Sequence, residues 1–206
     1  VDDLADVVSE AGGGGIDLVL SGVSLVLGQQ FENLTMTGAD SLTATGNTLN
    51  NVLVGNNGAN GLFGGIGNDS LFGDNGADTL IGGPGADTMA GGLNGDRYGV
   101  DSADDVLLED PGGGNDLVLS AVAWTLGATF DSLQLTGGTA MDGTGNGVAN
   151  RIAGNEGANL LTGLDGNDNL LGGGGADTLA GGAGGDALNG GAGADRFVFG
   201  GPGEGQ

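Results

Sequence analysis

Residues 64–72 read Gly64-Gly65-Ile66-Gly67-Asn68-Asp69-Ser70-Leu71-Phe72, and this frame, Gly-Gly-x-Gly-x-Asp followed by x-apolar-x, returns every nine residues on either side. Residues 82–90, 172–180 and 190–198 are further close copies, and the frame runs through two blocks, 46–99 and 145–198. Successive side chains of a β-strand point to opposite faces, so the middle residue of each x-apolar-x triplet faces away from its neighbours. Those middle residues are Leu53, Leu62, Leu71, Leu80, Met89 and Tyr98, then Ile152, Leu161, Leu170, Leu179, Leu188 and Phe197. All twelve are apolar or aromatic, which predicts the inner ladder of a narrow core. No stretch sustains a 3.6-residue period, so little helix is expected.

Glycine accounts for 51 of the 206 residues, a content that without a period would signal a disordered chain. Here 33 of the 51 lie inside the two nine-residue blocks, where each has a set place in the frame. Glycine in register with Leu, Met and Phe is turn chemistry, because glycine bends sharply without steric cost. The formal charge is −24, from 27 acidic residues against Arg97, Arg151 and Arg196 and no lysine. Self-repulsion on that scale opposes a compact state and leaves no basic patch for nucleic acid or anionic lipid. A metal cation is the natural counter-charge. With no cysteine, disulfides and thiolate metal sites are excluded. No apolar run approaches the ~20 residues of a membrane-spanning helix, so no membrane insertion is expected. The chain starts at Val1, and residues 199–206 read as the truncated start of a following segment of a longer protein.

Shifted by 99 residues, the chain overlays on itself without a gap. Asp17-Leu18-Val19-Leu20-Ser21 meets Asp116-Leu117-Val118-Leu119-Ser120, Phe31 meets Phe130, and Gly46-Asn47 meets Gly145-Asn146. Each copy is a glycine-poorer leader (1–45 and 100–144) followed by six nonapeptides (46–99 and 145–198). The leaders read as β, and Phe31-Glu32-Asn33-Leu34-Thr35-Met36-Thr37 alternates with period two, as a half-buried strand should. Because 99 is eleven nines, a leader can occupy whole turns without breaking phase. Trp124 sits in an apolar run opposite Leu25 and is expected to fill core.

The nonapeptide resembles the RTX (repeats-in-toxin) calcium-binding repeat of the haemolysin type, carried by proteins exported through type I secretion. The resemblance implies an all-β fold, a parallel β-roll or β-solenoid in which two nonapeptides make one eighteen-residue turn with a strand on each of two facing sheets. It further implies that position-six carboxylates of stacked turns surround a Ca²⁺ ion, and that carbonyls of the glycine-rich loops complete a shell of six to eight oxygens. Carried over residue by residue, the paired ligands are Asp69 with Asp87, Asp78 with Asp96, Asp168 with Asp186, and Asp177 with Asp195. The loop glycines around them are Gly64, Gly65 and Gly67; Gly82, Gly83 and Gly85; Gly172, Gly173 and Gly175; Gly181, Gly182 and Gly184; and Gly190, Gly191 and Gly193. That makes about four full sites. Asn51, Asn60, Asn150 and Asn159 stand where the first repeats of each array would have Asp, giving up to eight sites if these half-charged positions bind, weakly or not at all. Asp96 is the least secure ligand, since Gly91-Gly92-Leu93-Asn94-Gly95-Asp96 lacks glycine at position four. Position two of Gly73-Asp74 also departs from the frame.

A metal-free reading of the same Asp residues, as Asx-turn formers, competes with this; eight of them in frame favour calcium. Asp2, Asp6, Glu10, Asp17 and Glu32 recur as Asp101, Asp105, Glu109, Asp116 and Asp131, and read either as solvated charges at turns and strand edges or as extra calcium sites in the leaders. Two carboxylates per ion suggest an affinity near the ~10⁻⁴–10⁻³ M of extracellular modules. The function expected is a calcium-binding structural module of a secreted protein that folds after export. Its partners would be calcium ions and the type I secretion machinery, and its location extracellular or on the cell surface. A stiff spacer of an adhesin or surface-layer protein, and the repeat region of a secreted hydrolase, protease or epimerase, are the alternatives. With no His, Cys or Lys and no serine in a nucleophile elbow, no catalysis is expected within these residues.

Overall fold

The computed structural model describes residues 1–10 and 14–199. The segment expected to begin a new element, 199–206, falls outside the described residues apart from Phe199. No helix occurs among the described residues; the fold is all-β, with strands that pair in parallel as a β-solenoid. The chain divides into two compact units, Val1–Gly114 and Asn115–Gln206.

In the first unit, β1 (Leu18–Ser21), β3 (Asn33–Met36), β5 (Val52–Val54), β7 (Ser70–Asn75), β9 (Thr88–Leu93) and β11 (Val106–Leu108) form one sheet in that order. Facing it are β2 (Leu25–Val26), β4 (Thr43–Thr45), β6 (Gly61–Phe63), β8 (Thr79–Ile81) and β10 (Arg97–Val100). In the second unit β12 (Leu117–Ser120), β14 (Ser132–Leu135), β16 (Arg151–Ala153), β18 (Asn169–Gly174) and β20 (Ala187–Ala192) alternate along the chain with β13 (Trp124–Thr125), β15 (Gly143–Thr144), β17 (Leu160–Asp165), β19 (Thr178–Ala183) and β21 (Arg196–Val198).

Register shows why apolar residues recur every nine positions. Val19, Leu34, Leu53, Leu71, Met89 and Leu107 stack in one column of the first unit, and Leu25, Ala44, Leu62, Leu80 and Tyr98 in the other. Ten of the twelve expected ladder residues are buried. The exceptions are Leu188, half-buried, and Phe197, 43% exposed in the outermost strand of its sheet, where only β19 pairs with it. Leu188 likewise lies in an outermost strand, β20, with β18 alone beside it.

The leaders belong to the same solenoid. Asn33 pairs with Val52 and Ser132 with Arg151, so leader strands hydrogen-bond directly to array strands. Their turns are not eighteen residues long. Leu18 pairs with Asn33 fifteen residues on, and Asn33 with Val52 nineteen on; Leu117–Ser132 and Ser132–Arg151 repeat both values. In the second leader Trp124 pairs with Gly143 where the first has Leu25 beside Ala44. A Cβ on Gly143 would lie 3.2–3.4 Å from Leu133, Leu161 and Ile152, so the space there is already filled. Trp124 takes a ladder register but is half-buried, so it covers the core only in part.

Candidate metal centre

The glycine-rich loops join one sheet to the other, and stacking puts loops eighteen residues apart on the same edge. Position two of these loops needs a left-handed backbone: Gly65 has φ 109° and Gly83 φ 91°. A Cβ on Gly83 would also sit 2.2 Å from the Gly65 carbonyl of the turn before. At three places where the frame lacks glycine the left-handed backbone is kept, whereas the position-two asparagines Asn47, Asn56, Asn146 and Asn155 do not adopt it. Asp74 (φ 78°), Asn94 (φ 78°) and Leu164 (φ 81°) stay left-handed, each costing ~1 kcal/mol of strain. The substitutions at Asp74 and Asn94 therefore leave the loop course intact.

The position-six carboxylates stack in columns, one oxygen of each tied to the turn before. Asp87 Oδ1 accepts the Asp69 N–H at 2.7 Å, Asp96 Oδ1 the Asp78 N–H at 2.7 Å, Asp186 Oδ1 the Asp168 N–H at 3.0 Å, and Asp195 Oδ1 the Asp177 N–H at 3.1 Å. All four pairs expected from the sequence are thus brought together. The second oxygen behaves differently. In Asp69, Asp78, Asp87, Asp168 and Asp177, Oδ2 is buried and accepts no hydrogen bond.

Each such oxygen points into a small space over the first glycine of its own loop. A Cβ on Gly64 would fall 2.3 Å from Asp69 Oδ2 and 2.6 Å from the Gly82 carbonyl oxygen; on Gly73, 2.3 Å from Asp78 Oδ2 and 2.5 Å from the Gly91 carbonyl. Gly163 repeats this with Asp168 Oδ2 (2.2 Å) and the Gly181 carbonyl (2.4 Å), and Gly172 with Asp177 Oδ2 (2.4 Å) and the Gly190 carbonyl (2.3 Å). A carboxylate oxygen of one turn and a carbonyl of the next therefore converge at four equivalent places, and none of the four carboxylate oxygens accepts a hydrogen bond.

Electrostatics point the same way. Burial pushes the Asp78 and Asp87 carboxyls up to about 6, against the N–H bonds from Asn60 and Asp69 that favour ionisation; Asp74 raises the first further, and Asp69, Asp105 and Asp101 the second. Asp69 and Asp168 are raised by burial too. The three arginines lie exposed. A buried anion with no donor on one oxygen is costly, and a divalent cation with oxygen preference removes that cost. The donor set is all hard oxygen, which suits Ca²⁺.

The Asn repeats are built otherwise. Asn51 Oδ1 accepts the Asn47 N–H at 2.7 Å, and its Nδ2 donates to the carbonyls of Phe31 and Glu32. Asn47 in turn donates to Gly28 and Phe31 and accepts from Leu49. Both oxygens and both amides are used within the protein. The second Asn at position two (Asn47, Asn56, Asn146, Asn155) carries half of this network. Its signal was in the sequence as Asn-x-x-x-Asn four times over.

Asp105 also takes a place that composition does not reveal. It lies eighteen residues beyond Asp87, in a glycine-free loop, and its Oδ1 accepts the Asp87 N–H at 3.1 Å. With Asp105 7% and Asp116 1% exposed, the reading of these two as solvated charges is corrected; their counterparts Asp6 and Asp17 are exposed and half-buried. The spacing from Asp87 was the available signal. Around Asp96 the loop differs again: the Tyr98 hydroxyl accepts the Gly91 N–H at 2.7 Å and donates to Glu109. Both it and Asp96 Oδ2 crowd the space over Gly91, 2.3 and 2.1 Å from a Cβ there. Phe197, the counterpart of Tyr98, has no hydroxyl.

Compared with known families, the chain matches the model of the RTX calcium-binding nonapeptide repeat in four copies, over residues 45–80, 63–98, 144–179 and 171–201. No curated protein matches it.

Proposed function

The chain belongs to the RTX calcium-binding nonapeptide repeat family, and on that premise we propose that it is a calcium-gated structural module of a secreted protein. Asp69 with Asp87, Asp78 with Asp96, Asp168 with Asp186, and Asp177 with Asp195 hold the ions, together with loop carbonyls such as those of Gly82, Gly91, Gly181 and Gly190. The observation that carries this reading is the row of buried Oδ2 atoms that accept no hydrogen bond, those of Asp69, Asp78, Asp168 and Asp177 each facing a carbonyl of the next turn. Bound calcium supplies positive charge to a chain of −24; four ions bring it to −16.

Because each site is shared by two turns, binding and folding are coupled. Where calcium is scarce the carboxylates repel and the Asp-bearing turns stay open, a state suited to passage through a type I secretion channel. Millimolar calcium outside the cell closes them. Four full sites are the expected complement, the Asn positions being satisfied without an ion. The tandem 99-residue duplication favours a stiff spacer in an adhesin or surface-layer protein over a single tail.

Far-UV circular dichroism of the EDTA-treated chain, titrated with CaCl₂ and separately with MgCl₂, tests this. The expected result is a cooperative gain of β signal with calcium and a far weaker response to magnesium. A full β spectrum in EDTA, unmoved by calcium, would replace the gated module with a constitutive solenoid.

A further inference from the structure

The loops of each unit fall into two kinds, closed and open, and they are arranged in order along the solenoid. We infer that each unit carries a calcium-independent folding nucleus, made of its leader and its two Asn loops, onto which the calcium-dependent turns are added.

In the first unit Asn47 and Asn51 tie the array to the carbonyls of Gly28, Phe31 and Glu32, all leader residues. Asn56 does the same on the other edge, donating to the Thr37 carbonyl while its Oδ1 accepts from Gly58 and Asn60. The second unit repeats the arrangement. Asn146 donates to Gly127 and Phe130, Asn150 to Phe130 and Asp131, Asn155 to Thr136 and Thr139, and Asn159 to Met141. These eight asparagines are buried and have their side-chain oxygens and amides bonded within the protein. A fully satisfied polar network of this sort rigidifies what it joins without help from an ion.

Beyond them the loops open. Asp69, Asp78 and Asp87 in the first unit, and Asp168 and Asp177 in the second, each bury an oxygen without a donor. In the first unit the column then closes again at Asp105, whose Oδ2 accepts from the N–H groups of Asp101 and Ser102 and whose Oδ1 accepts from Asp87. That column therefore reads closed Asn51, open Asp69, open Asp87, closed Asp105. A turn of a solenoid is stabilised mainly by its neighbours, so calcium-dependent turns need a folded turn to build on. The leader and Asn loops supply it.

The inference rests on calcium binding at the Asp columns, and one experiment separates the two. Amide hydrogen exchange of the full chain is followed by mass spectrometry in EDTA and in millimolar calcium. In EDTA, segments 28–61 and 127–160 are expected to be protected at least ~10-fold more than 70–99 and 169–198; calcium should then protect the latter. Asn51→Asp, which replaces the amide donor by a carboxylate facing two carbonyls, should abolish protection of 28–61 in EDTA but leave 127–160 protected, the second unit serving as control in the same molecule. Uniform exchange in EDTA, or an Asn51→Asp chain that exchanges like the parent, overturns the nucleus. The expected EDTA pattern with no response to calcium would leave the nucleus standing and refute calcium gating.

Discussion

Asp87→Asn should stabilise the metal-free fold and weaken the calcium-loaded one. Asp87 is 1% exposed, and one of its oxygens has no donor. Its carboxyl rises from 3.8 to about 6, chiefly through burial. Between those values the folded chain holds more protons than the unfolded chain, so metal-free stability falls as pH rises through the window and the full penalty stands above it. The rise corresponds to ~3 kcal/mol at pH 7. Asparagine removes the charge and keeps an oxygen for the Asp69 N–H, so it should recover about that much at pH 7 and nothing at pH 3, where the parent is already protonated. In calcium the variant loses a ligand, and its folding midpoint should move to higher calcium. Stability in EDTA is measured by circular dichroism against urea or, where the chain is unfolded, against trimethylamine N-oxide, which drives folding by exclusion from the surface. A variant no more stable than the parent in EDTA at pH 7, or a gain undiminished at pH 3, would refute the claim that burial of this carboxylate opposes the metal-free fold.

Gly64→Ala puts a methyl group 2.3 Å from Asp69 Oδ2 and 2.6 Å from the Gly82 carbonyl; calorimetric titration should show one calcium fewer than in the parent. Leu71→Ala empties a fully buried ladder position and should cost ~2–5 kcal/mol of calcium-loaded stability, read as a lower urea midpoint. Tyr98→Phe removes the hydroxyl that accepts the Gly91 N–H and donates to Glu109, with an expected loss of ~1–3 kcal/mol in thermal unfolding. An unchanged melting temperature would show that neither bond contributes.

The repeating element is legible in the order of residues alone. Nine-residue spacing of Leu71, Leu80 and Met89, with Asp69, Asp78 and Asp87 two places before each, is a property of local backbone geometry: a strand of three residues alternates its faces, and glycine turns the chain between strands. That was enough to read an all-β ladder, while the four carboxylate pairs followed from the resemblance to the RTX repeat with its two nonapeptides per turn. Tertiary structure decided what those residues meet. The fifteen- and nineteen-residue turns of the leaders carry no nonapeptide, so only strand pairing shows that Leu34 and Leu133 continue the ladder. Trp124 and Gly143 are nineteen residues apart, and only stacking makes them cross-strand neighbours. Asp69 and Asn51 occupy the same place in the frame, yet one buries an oxygen without a donor and the other is closed on itself. The difference comes from the partners that stacking supplies: Asn51 donates to leader carbonyls nineteen and twenty residues earlier, and a carboxylate has no proton to give them.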